Sequence, residues 1–451
     1  MAVPNEIAVT SNFDTSNESS ADSLASLQEF LLAHPRIRFL RFQWQDHSGI
    51  LRARLTPLEQ ALAIAAGKRQ LKIGCIAFHC VVDNTLLPDF DPRGNHLLVP
   101  DWSSLRTRQP FDPLYASVMC EIAAQYPARP GLDWSLCPRH ALSRFTKRAE
   151  ETIKGHFLVG LEVEFEIMKA NEVGKLIPYS GGLGIFAVSG LRDPCFTYVE
   201  EVIQILMDAG VEIDTFQAEG IRGQYEISLG PLPPVQAIDQ LLFVHDTIKH
   251  VFARRGLVAT MSPRPVGWRG QSAGQHAHIS INPPHKEESF LAGILGRLPQ
   301  LCAFFLPYEL SYERIKKYFA GTMVAWGTEN RTAPVRKVKA GHWEVRCADA
   351  TANMYLALAA ILSAGMIGYV NDEPLQWQDT GLDEQPLPDS GTMLPKTVDE
   401  AMGLLQTTFE ELEVMMGSQV IRHYLRVKKF EVSKLHGIDS EEVRQLLAEL
   451  F

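Results

Sequence analysis

Polar and apolar residues alternate in four separate segments of this chain, and each segment carries acidic or imidazole side chains. The segments are LVGLEVEFEI (158–167), AEGIRGQYEISLG (218–230), AGQHAHISI (273–281) and GHWEVRCAD (341–349). A period of two predicts β-strands that have one polar and one apolar face. Side chains two residues apart on a strand point to the same side. Three sets therefore share a face: Glu162 with Glu164, His276 with His278 and Ser280, and Glu344 with Arg346.

The chain between these strands has the composition of helices. Predicted helices cover 138–154, 197–209, 235–255, 290–306 and 352–369, followed by a helical tail of 397–417, 418–428 and 440–450. We expect Asp349 to cap the helix of the segment 350–360. Strands and helices are both frequent and do not alternate regularly, so the class is mixed α+β.

The first part of the chain predicts a smaller unit. A helix begins at Asp22 or Ser23, and 37–46 and 50–55 form a hairpin around the turn Asp-His-Ser-Gly. A second helix begins at Thr56–Pro57, and 114–122 is a further strand. We therefore expect a disordered tail at 1–21, a small N-terminal α+β domain at 22–124 and a larger domain at 125–451.

Acidic groups in apolar strands require partners, because a carboxylate is rarely buried alone. Hard divalent cations such as Mg²⁺ and Mn²⁺ prefer oxygen ligands, and Mn²⁺ also accepts imidazole. Five glutamates and one histidine are enough for two such ions. The candidate ligands are Glu162, Glu164, Glu219, Glu226, His276 and Glu344.

Basic residues near these strands indicate anionic ligands. Arg314, Arg331, Arg336 and Arg346 are suited to bidentate contacts with phosphate or carboxylate groups. Divalent cations together with arginines are the usual equipment for phosphoryl transfer. The chain has neither a GxxxxGK[ST] loop nor a GxGxxG turn after a strand, so a nucleotide site would be of another type.

Composition excludes several classes of protein. The 451 residues carry a formal net charge of -10, which argues against a nucleic-acid binder. Seven cysteines without a CxxC spacing predict reduced thiols and a cytoplasmic location. No secretory signal or uninterrupted membrane-length apolar run is evident, and the apolar run 355–370 fits a core helix.

In their order along the chain, the motifs resemble the signatures of the glutamine synthetase family, and in detail the glutamine-synthetase-like domain of fungal FluG-type proteins. The resemblance extends from Ile37 to Glu431. Its motifs are GLEVEFEI, AEGIRGQYEISLGP, ATMSPRP, AGQHAHIS, SYERI, WGTENRTAPVR and HWEVRCADATANMYLALAAILSAG. The resemblance implies a β-grasp N-terminal domain, a catalytic domain with a barrel-like antiparallel sheet and surrounding helices, and homo-oligomeric double rings. In these rings a neighbour's N-terminal domain completes each active site.

The resemblance also implies roles for the candidate residues. Glu164, Glu219 and Glu226 match ligands of the metal near the amino acid, and Glu162, His276 and Glu344 match ligands of the metal on the ATP phosphates. His278, Ser280 and Arg336 match nucleotide contacts, and Arg314, Arg346, Ser272 and Gly274 match the glutamate site. Arg331 and Glu219 match catalytic groups. The implied substrates are ATP, glutamate or a similar acid, and ammonia or an amine, with Mg²⁺ or Mn²⁺ and without nucleic acid or membrane.

The chain departs from the family pattern mainly on the ammonium side. Segment 73–84 (IGCIAFHCVVDN) has no acid at the place of the family's aspartate, and Ser272 replaces a glycine. The loop 181–188 (GGLGIFAV) has no tyrosine, and Arg264 replaces a lysine. Three interpretations stay open: a γ-glutamyl ligase for ammonia or a bulkier amine, a ligase for a different acid, and a catalytically weak protein with a regulatory or developmental role.

Overall fold

A computed structural model describes residues 20–125, 131–316, 319–381 and 391–451 of the chain. Two β-sheets with surrounding helices make up the fold, which confirms the predicted α+β class. Most of the predicted disordered tail lies outside the described residues. Helix α1 (Ser20–Ala33) includes Ser20, so the prediction that the tail extends to residue 21 is wrong at its last two positions.

The N-terminal sheet has six strands in the spatial order β2-β1-β6-β4-β3, and β5 pairs with β6. Its strands are β1 (Phe39–Gln45), β2 (Leu51–Pro57), β3 (Leu71–Gly74), β4 (Asn95–Pro100), β5 (Arg106–Arg108) and β6 (Asp112–Gln125). The predicted hairpin is formed by β1 and β2, and β1 runs parallel to β6. Helices α1 and α2 (Leu58–Ala65) bury Leu27 and Ile64 in the same core as Leu40 and Val118 of the sheet.

The larger sheet has nine strands in the order β13-β14-β15-β12-β7-β10-β9, and β8 and β11 also pair with β7. Only the β13–β14 pair among these described strands is parallel. The strands are β7 (His156–Ala170), β8 (Leu176–Pro178), β9 (Ile213–Ala218), β10 (Gln224–Leu232), β11 (Val258–Thr260), β12 (Ala277–Asn282), β13 (Trp326–Thr328), β14 (Val335–Lys339) and β15 (His342–Val345).

Ten helices among the described residues accompany this sheet. They are α3 (Pro138–Ile153), α4 (Val188–Leu191), α5 (Phe196–Asp208), α6 (Pro234–Ala253), α7 (Glu287–Phe305), α8 (Met354–Asn371), α9 (Val398–Gln406), α10 (Phe409–Met416), α11 (Val420–Leu435) and α12 (Ser440–Leu450). The predicted helix 397–417 is wrong as a single element, because α9 and α10 separate at Thr407 and Thr408. The predicted cap of α8 is also wrong. The Asn353 side chain accepts the Leu356 amide, whereas Asp349 accepts the amide and hydroxyl of Thr351.

Helix α8 is the centre of the larger core. It is long and apolar enough to cross a membrane by length and composition, but most of its residues are buried inside the protein. It packs so closely on α7 that a Cβ atom at Gly293 would lie 2.3 Å from the carbonyl oxygen of Ala364. A glycine is therefore required at this helix crossing.

The turn between β1 and β2 joins the N-terminal sheet to the helices and loops of the larger half. The Ser48 hydroxyl donates to Oε1 of Glu431 in α11 at 2.5 Å, and Tyr308 donates to the Ser48 carbonyl at 2.8 Å. The Asn353 side chain donates to the Asp46 carbonyl at 2.8 Å. Because Asp46 and Ser48 are almost fully buried, this turn is part of the interior of the larger half.

Candidate active site

The order of strands in the larger sheet explains how distant acidic segments meet. Strands β14, β15, β12, β7 and β10 are consecutive neighbours. Their register places Glu226 directly opposite Glu164, and Glu344 opposite both His278 and Arg336. Side chains of directly opposed residues lie within contact distance, so one face of these five strands brings together Glu164, Glu226 and Glu344.

His276 lies at the centre of this face. Its Nδ1 atom is 2.7 Å from Oε2 of Glu162 and 3.3 Å from Oε1 of Glu344, and its Nε2 atom is 3.8 Å from Oε1 of Glu164. One potential ligand atom each from Glu162, His276 and Glu344 lies within 4.8 Å of the other two. The structure therefore brings these three predicted ligands close enough to share one cation.

Glu219 and Glu226 form the second part of the acidic group. Gln217 donates to Oε1 of Glu226 at 3.1 Å. Glu219 was predicted within a strand, but it lies in the tight turn between β9 and β10, where its amide donates to the Gln224 carbonyl at 2.9 Å. The turn interrupts the alternation that the sequence pattern suggested, while it leaves Glu219 close to Glu164 and His276.

The pKa values of the clustered carboxyl groups are shifted in opposite directions. Burial and four neighbouring glutamates raise the pKa of Glu226 to about 9. Burial also raises the pKa of Glu219. At Glu162, burial acts to raise the pKa, but hydrogen bonds with His276 and His278 outweigh it and hold the pKa well below its ordinary value. A cation would relieve the repulsion that keeps Glu226 protonated.

Two arginines flank the fully buried carboxylate of Glu344. Nη1 of Arg346 donates to Oε1 of Glu344 at 2.5 Å, and Nη1 of Arg336 lies 2.9 Å from Oε2. Arg346 follows the last residue of β15 and still reaches the carboxylate two residues before it. Both guanidinium groups keep further N–H donors, which an anionic substrate would accept.

The predicted glutamate-site residues also come together. Nη1 of Arg314 donates to the Ser272 hydroxyl at 3.1 Å, and its Nη2 donates to the Arg346 carbonyl at 3.4 Å. The Gly274 amide donates to Oε2 of Glu164 at 2.9 Å. A Cβ atom at Gly274 would lie 2.6 Å from Arg314 Nη2, so this approach needs glycine.

The predicted nucleotide contacts are only partly assembled. Nε2 of His278 lies 3.2 Å from Oε1 of Glu162, and its Nδ1 is 3.0 Å from Nε2 of His342. Burial and the neighbouring His278 lower the pKa of His342 to about 4. Ser280 is partly buried on β12 with His278. Arg331 is exposed before β14 and has no ion pair with the acidic group within the described residues.

One buried ion pair next to the site was missed from the sequence. Glu166 continues the face of β7 and forms an ion pair with Arg269, which also donates to the Ser180 carbonyl at 2.8 Å. Burial raises the pKa of Glu166 to about 7 even though Arg269 opposes it. The spacing Glu-x-Glu-x-Glu was a usable signal for Glu166, whereas no local pattern pointed to Arg269.

The donor set fits hard divalent cations. It consists of carboxylate oxygens and one imidazole, without a thiolate among the clustered residues, which is the chemistry that Mg²⁺ and Mn²⁺ accept. The arrangement can hold cations on one face of the sheet and grip anions with Arg336, Arg346 and Arg314.

Comparison with known proteins agrees with this geometry. Residues 135–445 match the family described as glutamine synthetase, catalytic domain. The chain is 31% identical to protein fluG of Emericella nidulans over 99% of its own length, and it spans 52% of fluG. It is 29% identical to gamma-glutamylpolyamine synthetase GlnA3 of Streptomyces coelicolor, covering 88% of this chain and 90% of GlnA3. It is 25% identical to glutamate–methylamine ligase of Methyloversatilis universalis, with coverages of 94% and 99%.

Solved structures share the whole architecture. The structure of GmaS in complex with ADP superposes with a TM-score of 0.78 at 23% identity, covering 93% of this chain and 98% of GmaS. The crystal structure of a novel glutamine synthase homolog gives 0.76 at 24% identity, with coverages of 92% and 99%. The family match and the common fold lead to one conclusion: the chain belongs to the glutamine synthetase family of ATP-dependent ligases.

Proposed function

We propose that this chain is an ATP-dependent γ-glutamyl ligase that joins the side-chain carboxylate of glutamate to ammonia or a primary amine. The observation that carries the proposal is the convergence of Glu162, His276 and Glu344 on one face with Arg336 and Arg346 beside them. By their names, the relative GlnA3 is a synthetase of γ-glutamylpolyamines and a second relative is a ligase of glutamate and methylamine. For this chain the acid and the amine are part of the proposal.

In the first proposed step, a glutamate side-chain oxygen attacks the terminal phosphorus of ATP, and the bond to the bridging oxygen breaks. The products are γ-glutamyl phosphate and ADP. Arg314 and Arg346 bind the carboxylates of glutamate. Nη1 of Arg314 lies at the Ser272 hydroxyl and its Nη2 lies beside Gly274, while Nε of Arg346 has no hydrogen-bond partner within the described residues. His278, Ser280 and Arg336 contact the nucleotide phosphates, and the exposed Arg331 meets the transferring phosphoryl group.

Two divalent cations, when bound, would neutralise phosphate and carboxylate charge during this transfer. Glu162, His276 and Glu344 would hold one, and Glu164, Glu219 and Glu226 the other.

In the second proposed step, the amine nitrogen bonds to the acyl carbon while the carbon–oxygen bond to phosphate breaks. Inorganic phosphate leaves with the electron pair, and Glu219 accepts the proton that the nitrogen loses. Glu219 is the candidate for this role because its partly buried carboxylate lies close to Glu164 and His276. The residues of the chain thus position both partners for the displacement.

Purified protein tests the proposal with ATP, Mg²⁺, a panel of carboxylic acids and a panel of amines. We expect glutamate-dependent and amine-dependent ADP formation, with the γ-glutamyl amide identified by mass spectrometry. Product formation with another acid, but none with glutamate, would contradict the choice of acid. ATP binding without turnover for every pair would contradict ligase activity and favour a regulatory role.

A further inference from the structure

Exposed apolar side chains occur on two loops that border the turn of Glu219. Leu183, Ile185 and Phe186 of the loop between β8 and α4, together with Trp268, form what we call the apolar rim. Leu183 is 81% exposed and Trp268 is 79% exposed. Large apolar groups are normally covered in a soluble protein, and several of them exposed on adjoining loops indicate a binding surface.

Backbone contacts fix the position of the rim next to Glu219. The Phe186 amide donates to the Ala218 carbonyl at 3.0 Å, and the Arg222 amide donates to the Gly182 carbonyl at 3.2 Å. A Cβ atom at Gly184 would lie 2.2 Å from the carbonyl oxygen of Glu219. The loop thus runs directly along the turn that carries the proposed proton acceptor.

The loop that carries Trp268 borders the same turn. Arg269 donates to the Ser180 carbonyl at 2.8 Å, and its guanidinium carbon lies 5.1 Å from the centre of the Trp268 ring. A Cβ atom at Gly220 would lie 3.0 Å from the side chain of Gln271. Both loops of the rim therefore meet at the residues that flank Glu219.

The backbone of the loop that exposes these side chains has an energetically unfavourable conformation. Ile185 and Phe186 have φ values of 39° and 60°. Neither a β-branched nor an aromatic residue favours this left-handed region, and such strain concentrates at functional sites. The loop stays in this conformation through its hydrogen bonds to Ala218 and Arg222, with its apolar side chains in solvent.

We propose that the apolar rim binds the hydrocarbon part of the amine substrate, so that the preferred acceptor is a primary amine with an alkyl or aryl tail. This inference rests on the proposed ligase function. The acidic floor formed by Glu219 and Glu226 attracts the ammonium end, and the rim removes the tail from water.

Charge distribution distinguishes this amine from a polyamine. A second ammonium group would need a second free carboxylate at the outer end of the site. The buried carboxylates beside the rim are already paired, Glu166 with Arg269 and Asp193 with Arg222.

The test compares ammonia, methylamine, butylamine, hexylamine and spermidine as acceptors with glutamate and ATP. We expect kcat/KM to rise with tail length, by up to about fourfold per buried methylene, and spermidine to be poorer than hexylamine. Leu183→Ser and Trp268→Ser should each lower kcat/KM for hexylamine at least about fivefold, through the removed apolar area, and change that for methylamine less than about twofold.

The matched control is Leu32→Ser, because Leu32 is 84% exposed and belongs to helix α1, which packs with the N-terminal sheet. It should leave the whole amine profile unchanged. Equal loss of methylamine and hexylamine turnover in the rim variants would overturn the inference. So would dissociation of an oligomer, seen by light scattering, with an unchanged ratio of hexylamine to methylamine, since the rim would then be a subunit contact.

Calorimetry separates this inference from the proposed function. Hexylamine is titrated into the wild-type protein and the rim variants with Mg²⁺ and a non-hydrolysable ATP analogue. If the wild type binds hexylamine more tightly than the rim variants do, but no amine is turned over, the ligase proposal is wrong and the rim remains a binding site for the amine tail. If ammonia or methylamine is turned over and longer amines are not preferred, the ligase proposal stands and the proposed role of the rim is wrong.

Discussion

The carboxylate of Glu344 is fully buried between Arg336 and Arg346 and beside His276. We predict that Glu344→Gln lowers the affinity for Mn²⁺ at least about tenfold, because a charged ligand is lost. The variant should also lose roughly 3 kcal/mol of unfolding free energy, because two arginines lose their buried partner. Calorimetric Mn²⁺ titration and urea unfolding measure the two effects.

Glu166→Gln is the matched control for this change. Glu166 is equally a buried glutamate of the same sheet with an arginine partner, but its partner is Arg269 and it is outside the three-residue group around His276. It should lose stability and keep its Mn²⁺ affinity. If both variants bind Mn²⁺ like the wild type, the assignment of Glu344 as a ligand is wrong.

Adding one methyl group at Gly274 tests the proposed glutamate site. We predict that Gly274→Ala lowers kcat/KM for glutamate at least about tenfold, because its Cβ atom would push against Arg314, Glu164 and His276. Gly270→Ala in the same loop is the control, since a Cβ atom there meets nothing within 4 Å. Steady-state kinetics over glutamate concentration decide the matter. Similar kinetics for the two variants would contradict the proposed substrate position.

Sequence reasoning located correctly those residues whose direction follows from the two-residue period of a strand. Glu162, Glu164, His276 and Glu344 follow the two-residue alternation and do meet. Asp349 failed because aspartate favours caps and turns alike, and only the surrounding backbone decided for Asn353 as the cap of α8. Arg269 and its contact with Glu166 depend on a loop whose path no local pattern specifies.

Among the secondary-structure elements, four rings meet where the N-terminal sheet contacts α11. They are His47, His79, His96 and His423, whose neighbouring ring centres are 4.8 Å to 6.0 Å apart. Burial, followed by the neighbouring groups, lowers the pKa of His96 and of His423 to about 4. Burial lowers the pKa of His47 and His79 as well.

This cluster predicts loss of stability in acid. The folded state binds protons less readily than the unfolded chain, whose histidines titrate near the ordinary value of 6.5. Stability is therefore complete above pH 6.5 and falls as the pH decreases towards 4, by up to about 3 kcal/mol for each of His96 and His423. Urea unfolding at a series of pH values measures the slope.

His96→Phe should flatten this pH dependence, because both ring nitrogens of His96 lack a hydrogen-bond partner within the described residues and only its titration is removed. His285→Phe is the control, since His285 is exposed between β12 and α7. An unchanged slope in His96→Phe would show that its imidazole does not contribute to the acid transition.

Element prediction from the sequence succeeded for most helices and strands and failed at interruptions. The boundaries of α5, α6 and α12 agree with the pattern within one or two residues. The division between α9 and α10 lies at Thr407 and Thr408, and their low helix propensity is too weak a signal to decide a break by itself.

The whole molecule should respond to divalent cations. We predict that Mg²⁺ or Mn²⁺ raises the melting temperature by about 3 °C at saturation, because the cation binds only the folded sheet. The gain should be larger at pH 8.5 than at pH 6. Glu226, with its pKa raised to about 9, must lose a proton when the cation binds, and this loss is easier at high pH.

Scanning fluorimetry with metal and with EDTA at both pH values provides the measurement, and Ca²⁺ tests selectivity for the smaller ions. Stabilisation that is equal at the two pH values would argue that the carboxyl of Glu226 does not bind the cation. Global organisation of this kind was only partly predictable, because the contact of the Asp46–Gly49 turn with Glu431 joins residues almost four hundred positions apart.

Because of that buried turn, the larger half depends on the N-terminal sheet for its stability. Removing the N-terminal sheet would uncover Glu431 and Lys428, an ion pair with almost no contact with water, and would leave the carboxylate without its Ser48 donor. A shortened chain that begins at α3 should therefore be poorly soluble, even though it keeps every proposed ligand. Fragments meant to isolate the chemistry would have to carry the small sheet with them.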